Sequence, residues 1–146
     1  MPKVLVAYYS KTGNTKQVAE AIAFGAKSVK NVDVEIKNVE DINAAEAVEA
    51  DGFAFGSPAY FSMMAGPLLT LFTELYFVRE KLAGKPMVAF ATGGGSQTKT
   101  TENIESILKA FNPKVILPGL AIGNKILDTD KQQARQLGAK LAKSIA

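Results

Sequence analysis

The sequence predicts a three-layer, doubly wound α/β domain spanning residues 1–146, with a five-stranded parallel sheet covered by helices on both faces. Three observations lead there. Short apolar runs recur along the chain and are continuous rather than alternating, as expected of strands buried on both sides. Stretches of helical period separate them, and no repeat, low-complexity tract or linker interrupts the succession. Parallel neighbours also require long crossovers, which right-handed βαβ connections supply.

Residues 4–9 form the first strand, and Val18, Ile22, Ala26 and Val29 make the apolar stripe of the helix that follows. Residues 32–36 alternate, which suits an edge strand, and residues 44–49 read as a short helix. A third strand covers residues 53–55. The helix over residues 67–82 carries Leu68, Leu71, Leu75 and Leu82, begins with Pro67 in its first turn and stops before Gly84 and Pro86. Residues 87–91 form the fourth strand, followed by a helix with Ile104, Ile107, Leu108 and Phe111 on one face. The fifth strand begins at residues 115–117 and continues to 122. Ala134, Leu137, Leu141 and Ile145 line the last helix, with Asp128 and Asp130 at its positive end.

A chain of 146 residues, 47% hydrophobic and 21% charged, can fold on its apolar core alone. It contains neither cysteine nor histidine, which excludes disulfides, thiol catalysis, cysteine–histidine zinc sites and histidine-based catalytic triads. No catalytic or metal-ligating residue is therefore singled out. Residues 1–9 are too short for a signal-peptide core, and no apolar run reaches the ~18 residues of a membrane span, so a cytoplasmic protein away from membranes is expected. The net charge of +3 and the isoelectric point near 9.1 come from dispersed lysines, which read as a solvated surface and give no expectation of nucleic-acid binding.

Ligands of doubly wound sheets sit at the carboxyl ends of the strands, and three loops there are unusual. The first strand ends in Ser10-Lys11-Thr12-Gly13-Asn14-Thr15. Three hydroxyls, an amide side chain, a glycine and the free amides of a helix N-terminus make a cradle for a phosphate monoester. Neither the nucleoside-triphosphate loop nor the dinucleotide fingerprint is present. The third strand runs into Gly56-Ser57-Pro58-Ala59-Tyr60-Phe61-Ser62-Met63-Met64-Ala65-Gly66-Pro67, where Tyr60 or Phe61 could stack on a flat conjugated ring. The fourth ends in Thr92-Gly93-Gly94-Gly95, whose glycines let a backbone approach a ligand closely.

On these three loops the chain resembles flavodoxin-like FMN-binding proteins, and its third loop is similar to that of the tryptophan-repressor-binding-protein-like quinone oxidoreductases. The resemblance spans essentially the whole chain and implies strand order 2-1-3-4-5 with FMN as cofactor. It assigns Ser10, Lys11, Thr12, Gly13, Asn14 and Thr15 to the phosphate, Pro58, Ala59, Tyr60 and Phe61 to the ring, and Thr92, Gly93, Gly94 and Gly95 to its pyrimidine edge. Unlike the usual electron carriers, this chain has a positive net charge and no aromatic in the third loop. A short-chain member is the nearest match.

The resemblance favours an electron carrier working between redox partner proteins. The alternative is an FMN-dependent NAD(P)H:quinone oxidoreductase whose acceptor is a small quinone. A phosphoryl-accepting receiver of this fold would need acids where the strand ends read Tyr9-Ser10 and Gly56-Ser57. Two further expectations concern the surface. The 67–82 helix is apolar over more than one stripe, with Leu69, Tyr76 and Phe77 outside the core face, which with Met63 and Met64 suggests a homodimer or partner contact. Residues 58–65 contain no glycine, so the positive-φ turn that the resemblance implies on one-electron reduction would strain Ala59 and Tyr60, and a poorly stabilised semiquinone is expected.

Overall fold

In the computed structural model, which describes residues 1–146, helices alternate with parallel strands. The strands are β1 (Lys3–Tyr8), β2 (Asp33–Asn38), β3 (Gly52–Pro58), β4 (Pro86–Gly93), β5 (Val115–Ile116) and β6 (Leu120–Gly123). The helices are α1 (Asn14–Lys27), α2 (Ala44–Ala47), α3 (Gly66–Tyr76), α4 (Gln97–Leu108) and α5 (Asp128–Lys143). The sheet order is β2-β1-β3-β4-β5, with β6 also paired to β4. No helix is long and apolar enough to cross a membrane.

Alternation along each central strand builds two cores. Leu5, Ala7, Phe53, Phe55, Met87 and Ala89 join Leu68, Leu71, Phe72, Leu75 and Ile104 of α3 and α4. Their neighbours Val4, Val6, Ala54, Val88 and Phe90 pack with Val18, Ile22, Ala134 and Leu141 of α1 and α5. Both faces of the strands are thus apolar because both are covered. At the amino-terminal edge the Lys85 ammonium donates to the carbonyls of Val48 and Ala50, each at 2.8 Å. Burial pushes its pKa below the usual lysine range, against the Asp51 carboxylate, which raises it.

Three of the differences from the sequence expectation have a clear physical reason. The fifth strand is two segments, β5 and β6, with six strands in all. Pro118 cannot donate to a ladder, and a Cβ on Gly119 would lie 2.5 Å from Thr101 Cγ2 and 2.9 Å from the Ala89 carbonyl, so the chain detours between them. The 67–82 helix ends at Tyr76, where Arg79 donates to the Tyr76 carbonyl at 2.8 Å and stacks 4.2 Å over its ring. Leu82 reaches the core from beyond a separate 3₁₀ turn, Arg79–Lys81. The 44–49 helix is shorter, Ala44–Ala47, capped by Asn43, whose Oδ1 accepts from Glu46 N.

Helices α1 and α5 touch backbone to backbone. A Cβ on Gly25 would lie 1.8 Å from the Arg135 carbonyl oxygen, and one on Gly138 would lie 1.9 Å from that of Ile22. The loop from β3 to α3 holds a second tight feature. Tyr60 and Met63 exchange two backbone hydrogen bonds of 2.9 Å, and the residues between them, Phe61 and Ser62, have φ of +55° and +64°. Positive φ at both central positions is the pattern of a type I′ turn, which ordinarily uses glycine or asparagine. The strain in this turn therefore falls on Phe61 and Ser62. It costs about 1–2 kcal/mol per residue.

Gly138→Ala lowers the unfolding free energy by about 1–3 kcal/mol or more in a urea titration, because neither helix backbone can yield. Gly66→Ala, whose new Cβ meets nothing within 4 Å, is the matched control and costs little. Ser62→Gly raises stability by about 0.5–1 kcal/mol, since relief of left-handed strain exceeds glycine's added chain entropy. An unchanged or lower denaturation midpoint for Ser62→Gly contradicts the strain.

Candidate functional site

Parallel pairing delivers the carboxyl ends of β1, β3, β4 and β6 to one edge. The turn after β1 is held by Ser10 Oγ, which accepts from Gly13 N at 3.1 Å. Gly13, at φ +99°, reverses the chain into α1. The first hydrogen bond of α1 is Gln17 N to the Gly13 carbonyl, so the N–H groups of Asn14, Thr15 and Lys16 have no backbone acceptor. Aligned with the helix dipole, and with no acidic side chain in the first turn, they form an anion cradle.

The loop after β3 is tied down at several points. Ser57 Oγ accepts from Ala65 N at 2.8 Å and donates to the Pro58 carbonyl at 2.7 Å. Asn103 Oδ1 accepts from Met64 N at 2.9 Å, and Ala59 N donates to the Thr92 carbonyl at 2.8 Å. Thr15 Oγ1 and Thr92 Oγ1 lie 2.8 Å apart, which links the start of α1 to the end of β4. In the third loop Gln97 Oε1 accepts from Gly95 N at 2.8 Å. A Cβ on Gly93 would come within 2.8 Å of Ala59 Cβ, so only glycine lets these two loops meet.

Between the loops lies a cavity of about 170 Å³, lined by Lys11, Thr12, Thr15, Pro58, Ala59, Tyr60, Thr92, Gly93, Gly94 and Asn124. Nine of these ten were singled out from sequence. Ser10, Gly13 and Asn14 shape the cradle from outside the lining, and Gly95 lies just beyond it. Phe61 is not brought to the cavity: the left-handed turn carries its ring outward, where it is 93% exposed. Sequence reading missed Asn124, which follows the carboxyl end of β6. Treating residues 115–122 as one strand drew attention away from the loop after Gly123.

A larger groove of about 530 Å³ runs beside α3, but it presents the carboxylates of Glu40 and Glu74, which repel an anion. The smaller cavity has the chemistry for one: free amides, the hydroxyls of Thr12 and Thr15, and the Lys11 ammonium. At about 170 Å³ it is below the ~300–1,000 Å³ of pockets that enclose a whole ligand, which suits the phosphate end of a cofactor whose remainder leaves the cavity. The donors present fit FMN.

Comparison with known proteins agrees with this geometry. Residues 5–125 match the model of a family described as a flavodoxin domain. A flavodoxin of Aquifex aeolicus is 29% identical over 163 aligned residues, covering 100% of this chain and 88% of the relative. Quinone-oxidoreductase QR2 of Triphysaria versicolor is 36% identical over 123 residues, which are 67% of this chain and only 60% of that protein. The solved structure of a flavodoxin from the domain Archaea superposes with a TM-score of 0.89 at 32% identity, covering 98% of each chain. Free amides suited to an anion at the start of α1, a flavodoxin sheet order and a family match over most of the sequence lead to one conclusion: the chain belongs to the flavodoxin family and takes FMN as its cofactor.

Proposed function

We propose that this protein is an electron carrier that shuttles electrons between redox partner proteins through one FMN. The observation that carries this reading is end-to-end likeness to a flavodoxin, 98% of each chain at 32% identity, whereas likeness to the quinone oxidoreductase covers 60% of that protein. When bound, FMN supplies the electron storage. The chain supplies placement, electrostatics and exclusion of water.

In this reading the phosphate accepts hydrogen bonds from the N–H groups of Asn14, Thr15 and Lys16 and from the Thr12 and Thr15 hydroxyls. Lys11 adds a charge at the cavity wall. Ser10 and Gly13 hold the shape of the turn. Tyr60, 39% exposed at the cavity, borders the ring with Pro58 and Ala59. The backbone of Gly93, Gly94 and Gly95 serves the pyrimidine edge, and Asn124 closes the remaining side. The quinone oxidoreductase is the second reading, supported by the 36% identity to its plant relative.

Mixing the FMN-loaded protein with NADPH or NADH, with no partner present, separates the two. A carrier keeps its yellow absorbance, because hydride transfer needs a nicotinamide seat. Bleaching within seconds, reversed by a small quinone, replaces the carrier with the oxidoreductase.

The finer partner proposal is a homodimer through α3. Phe77, 78% exposed, stands with Leu69 and Tyr76 around a groove of about 320 Å³ floored by Phe72, Ile107 and Phe111. Met63 is exposed, but Met64 is only 8% exposed and belongs to the core, so it contributes nothing to this face. Light scattering over a concentration series shows a dimer for the wild type and a monomer for Phe77→Lys; a wild type that stays monomeric at every concentration removes the proposal.

A further inference from the structure

We propose that Thr92 is a positioning residue for the phosphate end of the site, holding the Thr15 hydroxyl with its proton aimed at the phosphate. The proposal rests on the FMN reading and reassigns Thr92, which the resemblance read from the sequence assigns to the pyrimidine edge. The two hydroxyl oxygens are 2.8 Å apart and 77 residues apart in sequence, and each residue is only 1% exposed. In a pair this buried, the protein partner each hydroxyl has is the other.

Proton counting then sets the direction. Each hydroxyl has one proton and two lone pairs. A phosphate dianion offers only acceptors, so Thr15 must donate to it, and the Thr15–Thr92 bond can then carry only the Thr92 proton. Thr92 has none left for the acceptors of a flavin ring. Pyrimidine-edge donors must instead be backbone N–H groups of the glycine run or the Asn124 amide.

Thr15 differs from other helical threonines of the chain. Thr70, Thr73, Thr100 and Thr101 each donate to the carbonyl four residues back, which consumes the proton within the helix or its cap. Thr15 lies in the second position of α1, before any such helical carbonyl exists, and its partner is Thr92. Thr92 is itself a firm anchor. It pairs with Pro58 of β3 on one side and Ile122 of β6 on the other, and its carbonyl accepts from Ala59 N at 2.8 Å. The relay therefore registers α1 against the centre of the sheet at the atom that touches the phosphate.

Fluorescence titration of the apoprotein with FMN and with riboflavin, which has the same ring and no phosphate, tests this. Thr92→Val lowers FMN affinity about tenfold, while riboflavin affinity stays within about twofold of wild type. Thr92→Ser, which keeps the hydroxyl, restores FMN binding. Inorganic phosphate alone raises the thermal midpoint of the wild-type apoprotein more than that of Thr92→Val. If the valine variant does not fold, Thr92→Ala removes the hydroxyl without adding a methyl in its place. Equal losses for FMN and riboflavin, no loss at all, or a serine variant as weak as valine each overturn the relay while leaving FMN binding intact. A wild-type protein that takes up no FMN overturns the flavin reading, and the relay with it.

Discussion

The contact between the α1 and α5 backbones governs where everything else in the site can be. With no side chain at Gly25 or Gly138, the carbonyl oxygens of Arg135 and Ile22 occupy the space a Cβ would need. Helix α1 cannot slide or rotate without driving one backbone into the other, and α5 is held in turn by Ala134, Leu141 and Ala142 in the core. The free amides at the start of α1 inherit that rigidity. On the proposed phosphate seating, a cradle fixed before the ligand arrives would lose little further freedom on binding, which favours affinity in a site with few charges.

The opposite end of the site is built differently. The side toward α1 is cross-linked by the buried Thr15–Thr92 hydrogen bond, and no buried side-chain polar atom lacks a partner. The ring side carries the Tyr60–Met63 turn, two non-glycine residues in left-handed geometry with Phe61 out in solvent. Ser57 and Asn103 anchor the end of that loop at Ala65 and Met64. The turn is thus a strained tip on a fixed base. Strain of about 1–3 kcal/mol at such a position persists only because the surrounding bonds over-determine it.

The layers and the three ligand loops were legible in the sequence because each depends on local chemistry. Continuous apolar runs report burial on two faces, and the hydroxyls of residues 10–15 report a helix start that expects an anion. What was hidden depends on contacts distant in sequence. Pro118 and Gly119 mark a break locally, but nothing local shows that Gly119 backs onto Thr101 and the Ala89 carbonyl. The end of α3 at Tyr76 depends on a guanidinium three residues on. Positive φ at Phe61 and Ser62 is enforced by pairing between Tyr60 and Met63, against the preference of both residues. Asn124 and the Thr15–Thr92 bond appear only when loops far apart in sequence are brought to one edge by the parallel register.

Charge at the site follows from the same arrangement. No acidic residue lies in the first turn of α1, α3 or α4. Lys11 is the only formal cation on the cavity wall. A dianion must then be balanced mainly by N–H and O–H dipoles, which are short-ranged and act only when aligned. Such a site is less sensitive to salt than one built on exposed ion pairs, because its donors face the ligand rather than the solvent. It also recognises shape more strictly. On the proposed seating, a carboxylate or one phosphorus of a bridging diphosphate presents fewer free oxygens to the same donors than a terminal phosphate does, so selection of a monoester would reside in the directions of the cradle amides and of the Thr12 and Thr15 hydroxyls.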